Sequence, residues 1–420
     1  MRPISPERCI GARDLTEPRL SPDGTMLVYA VGVAGSAALS LSMLDGTALR
    51  QLTSYPQLRA GRGLGGGGWC WLPDSTGVVF AAADGNLWLQ PVPGGQVRRL
   101  TDNGPDRSAQ APAVSPDGGH VVYVIDQLSV WMQPVSGGVA RRLDDGSADF
   151  CFDPVVSPDG TQVTWQAWNV PDMAWDHSRL QHCVLASGEL HNDVPPGAVQ
   201  QPGMLADGTR VCVRDDTGWN IVWLGDGPLV DEPFEHADPT WGLGQRTYAV
   251  SPDGREIAFT RNESGFGRLC VVDIESRQVR EVARAVHGQL SWRGARLAAL
   301  RTGARTPTQV VVYDTATWER TVVDVGPMSG WEREPLAEPE LVEVPARDGA
   351  TLFARLYRAD GDAGSQRLLC WLHGGPTDQW QVTFNVRIAF WRSHGWNVLV
   401  PDHRGSSGHG REYQQAMRHR

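Results

Sequence analysis

The residues able to do chemistry fall into a few short stretches of this 420-residue sequence. Residues 61–68 are mostly glycine. Such a loop can cradle phosphate, but no Gly-Lys-Ser/Thr ending is present and no helical pattern follows, so it reads as a connection. Three stretches mix acids with aromatics: 168–176, with Trp168, Trp175 and Asp176; 215–220, with Asp215, Asp216 and Trp219; and 235–241, with Glu235, Asp238 and Trp241. They either pack between strands and leave their acids to solvent, or form a polar patch facing a channel or a neighbouring domain. Trp175, Asp176 and Glu235 are the candidates for the second role. Two later loops stand out, His373-Gly374-Gly375-Pro376 and His403-Arg404-Gly405-Ser406-Ser407-Gly408-His409-Gly410. No CxxC pair or Cys/His cluster points to a metal, and no motif points to a cofactor. A serine nucleophile carried on a sharp strand-to-helix turn needs Gly-x-Ser-x-Gly. The sequence contains none; the nearest stretch, Gly405-Ser406-Ser407-Gly408-His409, ends in His.

The elements that must position these residues are set by a repeat. Ser21-Pro22-Asp23-Gly24 returns at Ser115, Ser157 and Ser251, with degraded copies at Pro73-Asp74, Asp207-Gly208 and Ser291-Trp292-Arg293-Gly294. The seven copies lie 40–51 residues apart. Ser, Pro, Asp and Gly in that order are the preferences of a type I turn, with Gly leaving the turn at low steric cost. A β-rich run follows each turn, as in Val121-Val122-Tyr123-Val124, then a second run, a second turn and a short closing strand. Four antiparallel strands at a period of roughly 40–50 residues describe one blade of a β-propeller. The expected fold is therefore mainly β: a seven-bladed β-propeller over 15–325, after a short lead-in at 1–14.

Composition agrees. Hydrophobic residues make up 41% of the chain, enough for a core, and the 17 Trp suit the spaces between blades. The net charge of −10 offers no footprint for nucleic acid or an anionic membrane. Seven scattered Cys suggest reduced, buried thiols and a cytoplasmic setting. No apolar stretch is long enough to span a bilayer.

Composition shifts after 325. Residues 326–339 read as a linker, and 340–420 as the opening of an α/β sheet. Strands are expected at 340–344 and 352–357. Apolar runs at 367–372 and 397–402 carry the mark of strands buried on both faces, but a sheet with so few strands cannot bury both and is expected to leave open edges. A helix is expected over 384–394 with Gly395 at its C-cap, and another over 412–417.

With these motifs on one chain, the sequence resembles the prolyl-oligopeptidase-type serine peptidases, closest to the acylaminoacyl-peptidase and dipeptidyl-aminopeptidase-like branch. That family joins a propeller to a C-terminal α/β-hydrolase domain. The likeness rests on the Ser-Pro-Asp-Gly blades, on Trp168 to Asp176, on Gly218-Trp219, and above all on His373-Gly374-Gly375-Pro376 followed by Arg404-Gly405-Ser406-Ser407-Gly408. Ala174, His403 and His409 depart from the family's pattern.

The resemblance implies acyl transfer to a serine activated by His and Asp, with the oxyanion held by backbone N–H groups. It assigns Gly375, and next Gly374, as oxyanion donors, because glycine lets backbone approach the carbonyl and reach a positive φ. It makes His373, Pro376, Arg404, Gly405 and Ser406 loop-supporting residues. The family's elbow, Asp and His lie beyond the stretch these residues match, so the 420-residue chain is expected to be inactive alone. The implied substrates are short peptides, cleaved by an aminopeptidase or acylaminoacyl peptidase. A non-catalytic propeller scaffold and a propeller-linked esterase are the alternatives.

Overall fold

A computed structural model describes residues 3–418 apart from 11–12, 48, 60–65, 105, 327–329, 362–364 and 376. The Ser-Pro-Asp-Gly repeats form the turns their chemistry dictates. Gly24 N–H donates to the Ser21 carbonyl at 2.8 Å, and the equivalent bonds at 115, 157 and 251 are 2.8, 2.9 and 2.9 Å. Each Ser hydroxyl donates to the Asp carboxylate two residues on, at 2.5–2.6 Å. The four closing glycines all have φ of 71–73°. Only glycine holds that backbone without strain.

Each turn joins the first two strands of a four-stranded antiparallel sheet. Seven such sheets follow one another over 13–51, 69–99, 109–142, 150–193, 199–228, 248–284 and 286–325, each with its strands in chain order. Neighbouring sheets pack face to face. Leu39 and Leu41 of the first meet Trp69 and Phe80 of the second. Val211 and Val213 of the fifth meet Ile257 and Phe259 of the sixth. The first sheet returns onto the seventh, where Leu15, Leu27 and Tyr29 meet Ala298, Leu300 and Val310. The packing is cyclic, and the mainly β class is borne out. Trp69, Trp165, Trp223 and Trp292 fill spaces between sheets.

Two connecting segments close the middle of this ring. Gly68 N–H donates to both carboxylate oxygens of Glu17 in the first sheet at 3.1 Å, and the Gly67 carbonyl accepts from Ala111 in the third at 2.8 Å. From the other side, Gly244 N–H reaches Asp153 Oδ1 in the fourth sheet at 2.6 Å. Thr247 N–H reaches Gln201 Oε1 in the fifth at 2.8 Å, and the Arg246 carbonyl accepts from Leu290 in the seventh at 2.8 Å. The segments meet where Gly66 N–H donates to the Leu243 carbonyl at 2.8 Å. A Cβ on Gly244 would lie 2.0 Å from the Gly67 nitrogen. Segments that touch first strands all round a ring must lie at its centre. Glu17, Ala111, Asp153, Gln201 and Gln289 each have φ near 50° (48–54°) at β-bulges in those first strands.

Chain residues 340–402 form an eighth, mixed sheet. Its order is Glu340–Pro345, Thr351–Tyr357, Asn397–Asp402, Leu368–Cys370, the last pair parallel. Helix α1 (Val386–Ser393) covers it, with Ile388 in one cluster with Tyr357, Val398 and Val400. Gly395 follows at φ 79°. Helix α2 (Gly410–Gln415) starts two residues earlier than expected. Among the described residues Leu368–Cys370 is an edge strand with Leu368 and Leu372 exposed, and Asn397–Asp402 is buried at alternate residues only, the open edge expected of a sheet with so few strands. An apolar run reports what a strand could bury, and here one flank of the sheet is uncovered among the described residues. Cys370 is exposed with it, unlike the buried thiols of Cys70, Cys151, Cys183, Cys212 and Cys270.

The ring is closed without a shared strand, since the first and seventh sheets are each continuous in sequence. Side chains therefore carry the closure. Arg13 grips Asp324 with both guanidinium nitrogens at 2.6 Å, and the Tyr29 hydroxyl donates to Asp324 Oδ2 at 2.7 Å. Burial works to raise the Asp324 pKa, but these bonds outweigh it and hold it below its ordinary value. The stabilisation is thus complete above the usual carboxylate range and is lost as pH falls through the lowered pKa. Asp324→Ala should destabilise the chain by about 1.5–3 kcal/mol at neutral pH and by much less in acid. Thermal melts at both pH values check this; an equal loss at each would contradict the closure.

Candidate functional site at the ring–sheet junction

The loop after the parallel strand Leu368–Cys370 begins at His373. This side chain is buried, with Nδ1 donating to the Gly374 carbonyl at 2.8 Å. That bond leaves Nε2 to accept from the Ser406 hydroxyl at 2.7 Å. Its ring stacks on His403 at 4.3 Å. The structure thus brings together His373 and Ser406, thirty-three residues apart. Gly374 and Gly375 are exposed, and neither has a positive φ, contrary to expectation. A Cβ on Gly374 meets nothing within 4 Å, whereas one on Gly375 would lie 2.7 Å from the Thr377 nitrogen. Glycine at 375 answers to crowding by its own loop. Pro376 lies outside the described residues. Arg404 pairs with Asp348, and Gly405, at φ 94°, donates its N–H to the Tyr413 carbonyl at 3.1 Å.

Asp402 ends the strand Asn397–Asp402 and is fully buried. Arg355, also fully buried, binds it with both terminal nitrogens at 2.7 and 2.5 Å. His409 Nε2 and Gln379 Nε2 each donate to Asp402 Oδ2 at 2.7 Å. Burial pushes the Asp402 pKa up, but the Arg355 and His409 bonds prevail and hold it below the ordinary range. Gln379 Oε1 in turn accepts from Asn262 Nδ2 of the sixth sheet at 2.6 Å. Sequence reading missed this network. Its one signal was a charged Arg355 inside the apolar run 352–357.

The acid–aromatic stretches meet the same junction. Glu235 accepts from Asn220 N–H at 2.7 Å and from Gly410 N–H, at the start of α2, at 3.2 Å. Burial raises its pKa to about 7. Arg411 pairs with Asp215, and its Nη2 donates to the Asp176 carbonyl at 2.7 Å. The Asp176 carboxylate binds Arg418 at 2.6 Å. Trp175 lies 4.3 Å from Trp241. A cavity of about 530 Å³ opens between ring and sheet, lined by Glu235, Asp238, Trp241, Asn262, Asp378 and Trp380 among others. Of the three candidate channel residues, Glu235 lines it, while Trp175 and Asp176 sit against the C-terminal helix. Asp238 was named from sequence only as an acid of the 235–241 stretch, and Asp378 was not named at all. Burial, followed by the charge of Asp378, raises Asp238 to about 7. Gln381 Nε2 donates to both its oxygens at 2.9 and 3.0 Å.

No family model matches the sequence. Over 71 residues, 17% of this chain, it is 35% identical to acylamino-acid-releasing enzyme 1 of Oryza sativa subsp. japonica, and that stretch spans 9% of the rice protein. A solved puromycin-hydrolyzing peptidase of Mycobacterium tuberculosis superposes with a TM-score of 0.86 at 22% identity, covering 99% of this chain and 70% of that one. A puromycin hydrolase S511A mutant complexed with PGG gives 0.84 at 22% identity, over 98% and 69%. Pyrococcus horikoshii acylaminoacyl peptidase gives 0.69 at 14%, over 96% and 67%. At these identities the likeness is one of fold. Over nearly its whole length the chain has the fold of these puromycin hydrolases and acylaminoacyl peptidases, the branch of the prolyl-oligopeptidase-type family that its motifs resemble.

Proposed function

We propose that these residues are the propeller and the opening part of the hydrolase domain of a serine-type peptidase acting on short peptides, as an aminopeptidase or acylaminoacyl peptidase. The cyclic sheets over 15–325 are its seven blades, 326–339 the linker, and 340–420 the start of the α/β-hydrolase domain. One observation carries the reading: the exposed Gly374–Gly375 backbone follows the parallel strand and runs, at Asp378, into the lining of the cavity between ring and sheet. Exposed backbone donors a few residues before a cavity's lining suit an oxyanion that forms there. The closed centre of the ring leaves the junction as the route for peptides, and the ring keeps folded proteins out.

The nucleophile is not among these residues. Ser406 is fully buried and hydrogen-bonded to a histidine whose other nitrogen serves a backbone carbonyl. In an acyl-transfer triad that nitrogen is held by a carboxylate. Ser407 is 1% exposed and its hydroxyl has no partner among the described residues. The pure 420-residue chain should therefore leave chromogenic aminoacyl and acyl-aminoacyl substrates uncleaved. Turnover abolished by Ser407→Ala or Ser406→Ala would mean the nucleophile has been misread, and turnover surviving both would refute the peptidase account.

If the reading frame continues past Arg420 with a Gly-x-Ser-x-Gly, its product tests the oxyanion assignment. Gly375→Val should lower kcat by at least on the order of 10²–10³, the cost of one lost oxyanion donor. Gly374→Ala should cost less, since its Cβ meets open space. Steady-state kinetics with circular dichroism decide; near-normal turnover in Gly375→Val would reduce the loop to a turn.

A further inference from the structure

Four residues of the ring hydrogen-bond to the six residues that follow the Gly374–Gly375 pair and Pro376. Trp241 Nε1 donates to the Thr377 carbonyl at 2.7 Å. Asn262 Nδ2 donates to Gln379 Oε1 at 2.6 Å. Asp238 accepts from Gln381 at 2.9 and 3.0 Å. The Gly265 carbonyl accepts from Val382 N–H at 2.8 Å. From the opposite side, Ser407 N–H donates to the Asp378 carbonyl at 3.1 Å, and Gln379 is tied to Asp402. Gly408 lies so close that a Cβ there would sit 2.4 Å from the Gln379 amide group. The segment 377–382 is thus clamped between the ring and the loop 402–409. The bonds on the ring side come from two separate places, the connection at 238–241 and the hairpin at 262–265.

We infer that the ring is a working part of the oxyanion loop, with Trp241, Asn262 and Asp238 as positioning residues that hold the loop in register. The inference rests on the reading of Gly375 as an oxyanion donor. A backbone donor serves only if it is fixed before charge develops, and small misplacements are costly. All of these bonds cross the junction, so separating ring from sheet breaks them together.

The test uses hydrogen exchange on the 420-residue chain with two variants. Trp241→Phe keeps an aromatic ring and removes only the indole donor, at a side chain that is 46% exposed, so folding is not at stake. Asn262→Asp removes the amide donor with little change of shape. A single hydrogen bond is worth a factor of a few up to about tenfold in an opening equilibrium. Amides in 373–382 should exchange faster by that factor in each variant, while those of the first three sheets keep their rates. Unchanged exchange in 373–382 for Trp241→Phe overturns the inference. In an elbow-containing product, the same variants should lower kcat with KM less affected, and Gln379→Ala combined with Asn262→Asp should cost no more than either alone. If exchange accelerates but Gly375→Val keeps its turnover, the ring's hold on the loop stands and the oxyanion assignment falls.

Discussion

A single buried carboxylate joins the parts of this molecule. Asp402 has no access to water, and a bare charge there would be costly. Arg355 balances it, and His409 and Gln379 occupy its remaining acceptor capacity. Each partner belongs to a different piece: Arg355 to the sheet, His409 to the loop leading into α2, and Gln379 to the segment after the glycine pair. Gln379 passes the connection to Asn262 in the ring. A buried pair of this kind adds little net stability over an apolar core, but losing one member costs about 3–5 kcal/mol. Its effect here is to specify geometry, since the four groups bond to one another in one arrangement, with, of their buried atoms, only Arg355 Nε left without a partner among the described residues.

The ring gives that geometry something rigid to rest on. Local turn chemistry makes each sheet, and each sheet buries its faces only by packing on the next. The first and seventh meet through apolar contacts and the Arg13–Asp324–Tyr29 contact, with no strand exchanged. Two glycine-containing segments fill the centre, so the bulged first strands bond inward as well as sideways. The loops bearing Glu235, Asp238 and Trp241 spring from one of these connections, which fixes them against the eighth sheet.

The ring was legible because its information is local: Ser-Pro-Asp-Gly forms the same turn wherever it stands, and the repeat distance reveals the unit. Helix α1 and the glycine after it were legible for the same reason. The open edge at Leu368 to Leu372 was legible as well, because a sheet of so few strands cannot cover every apolar run it contains. The roles of Glu235, Asp238 and Asn262 were hidden because their partners Gly410, Gln381 and Gln379 lie more than a hundred residues away with no fixed spacing. The loop His373 to Gly375 was found by family likeness, and only coordinates reveal that Gly375 is required by its own neighbour Thr377 and not by a positive φ.

One buried network makes ring, sheet and glycine loop a single unit. Hydrogen exchange on Asp402→Asn probes it directly, because the change keeps the shape and removes the charge that Arg355 and His409 require. Faster exchange is predicted together at 262–266, 377–382 and 409–413, with the first three sheets unaffected. Acceleration confined to the strand Asn397–Asp402, or none at all, would contradict it.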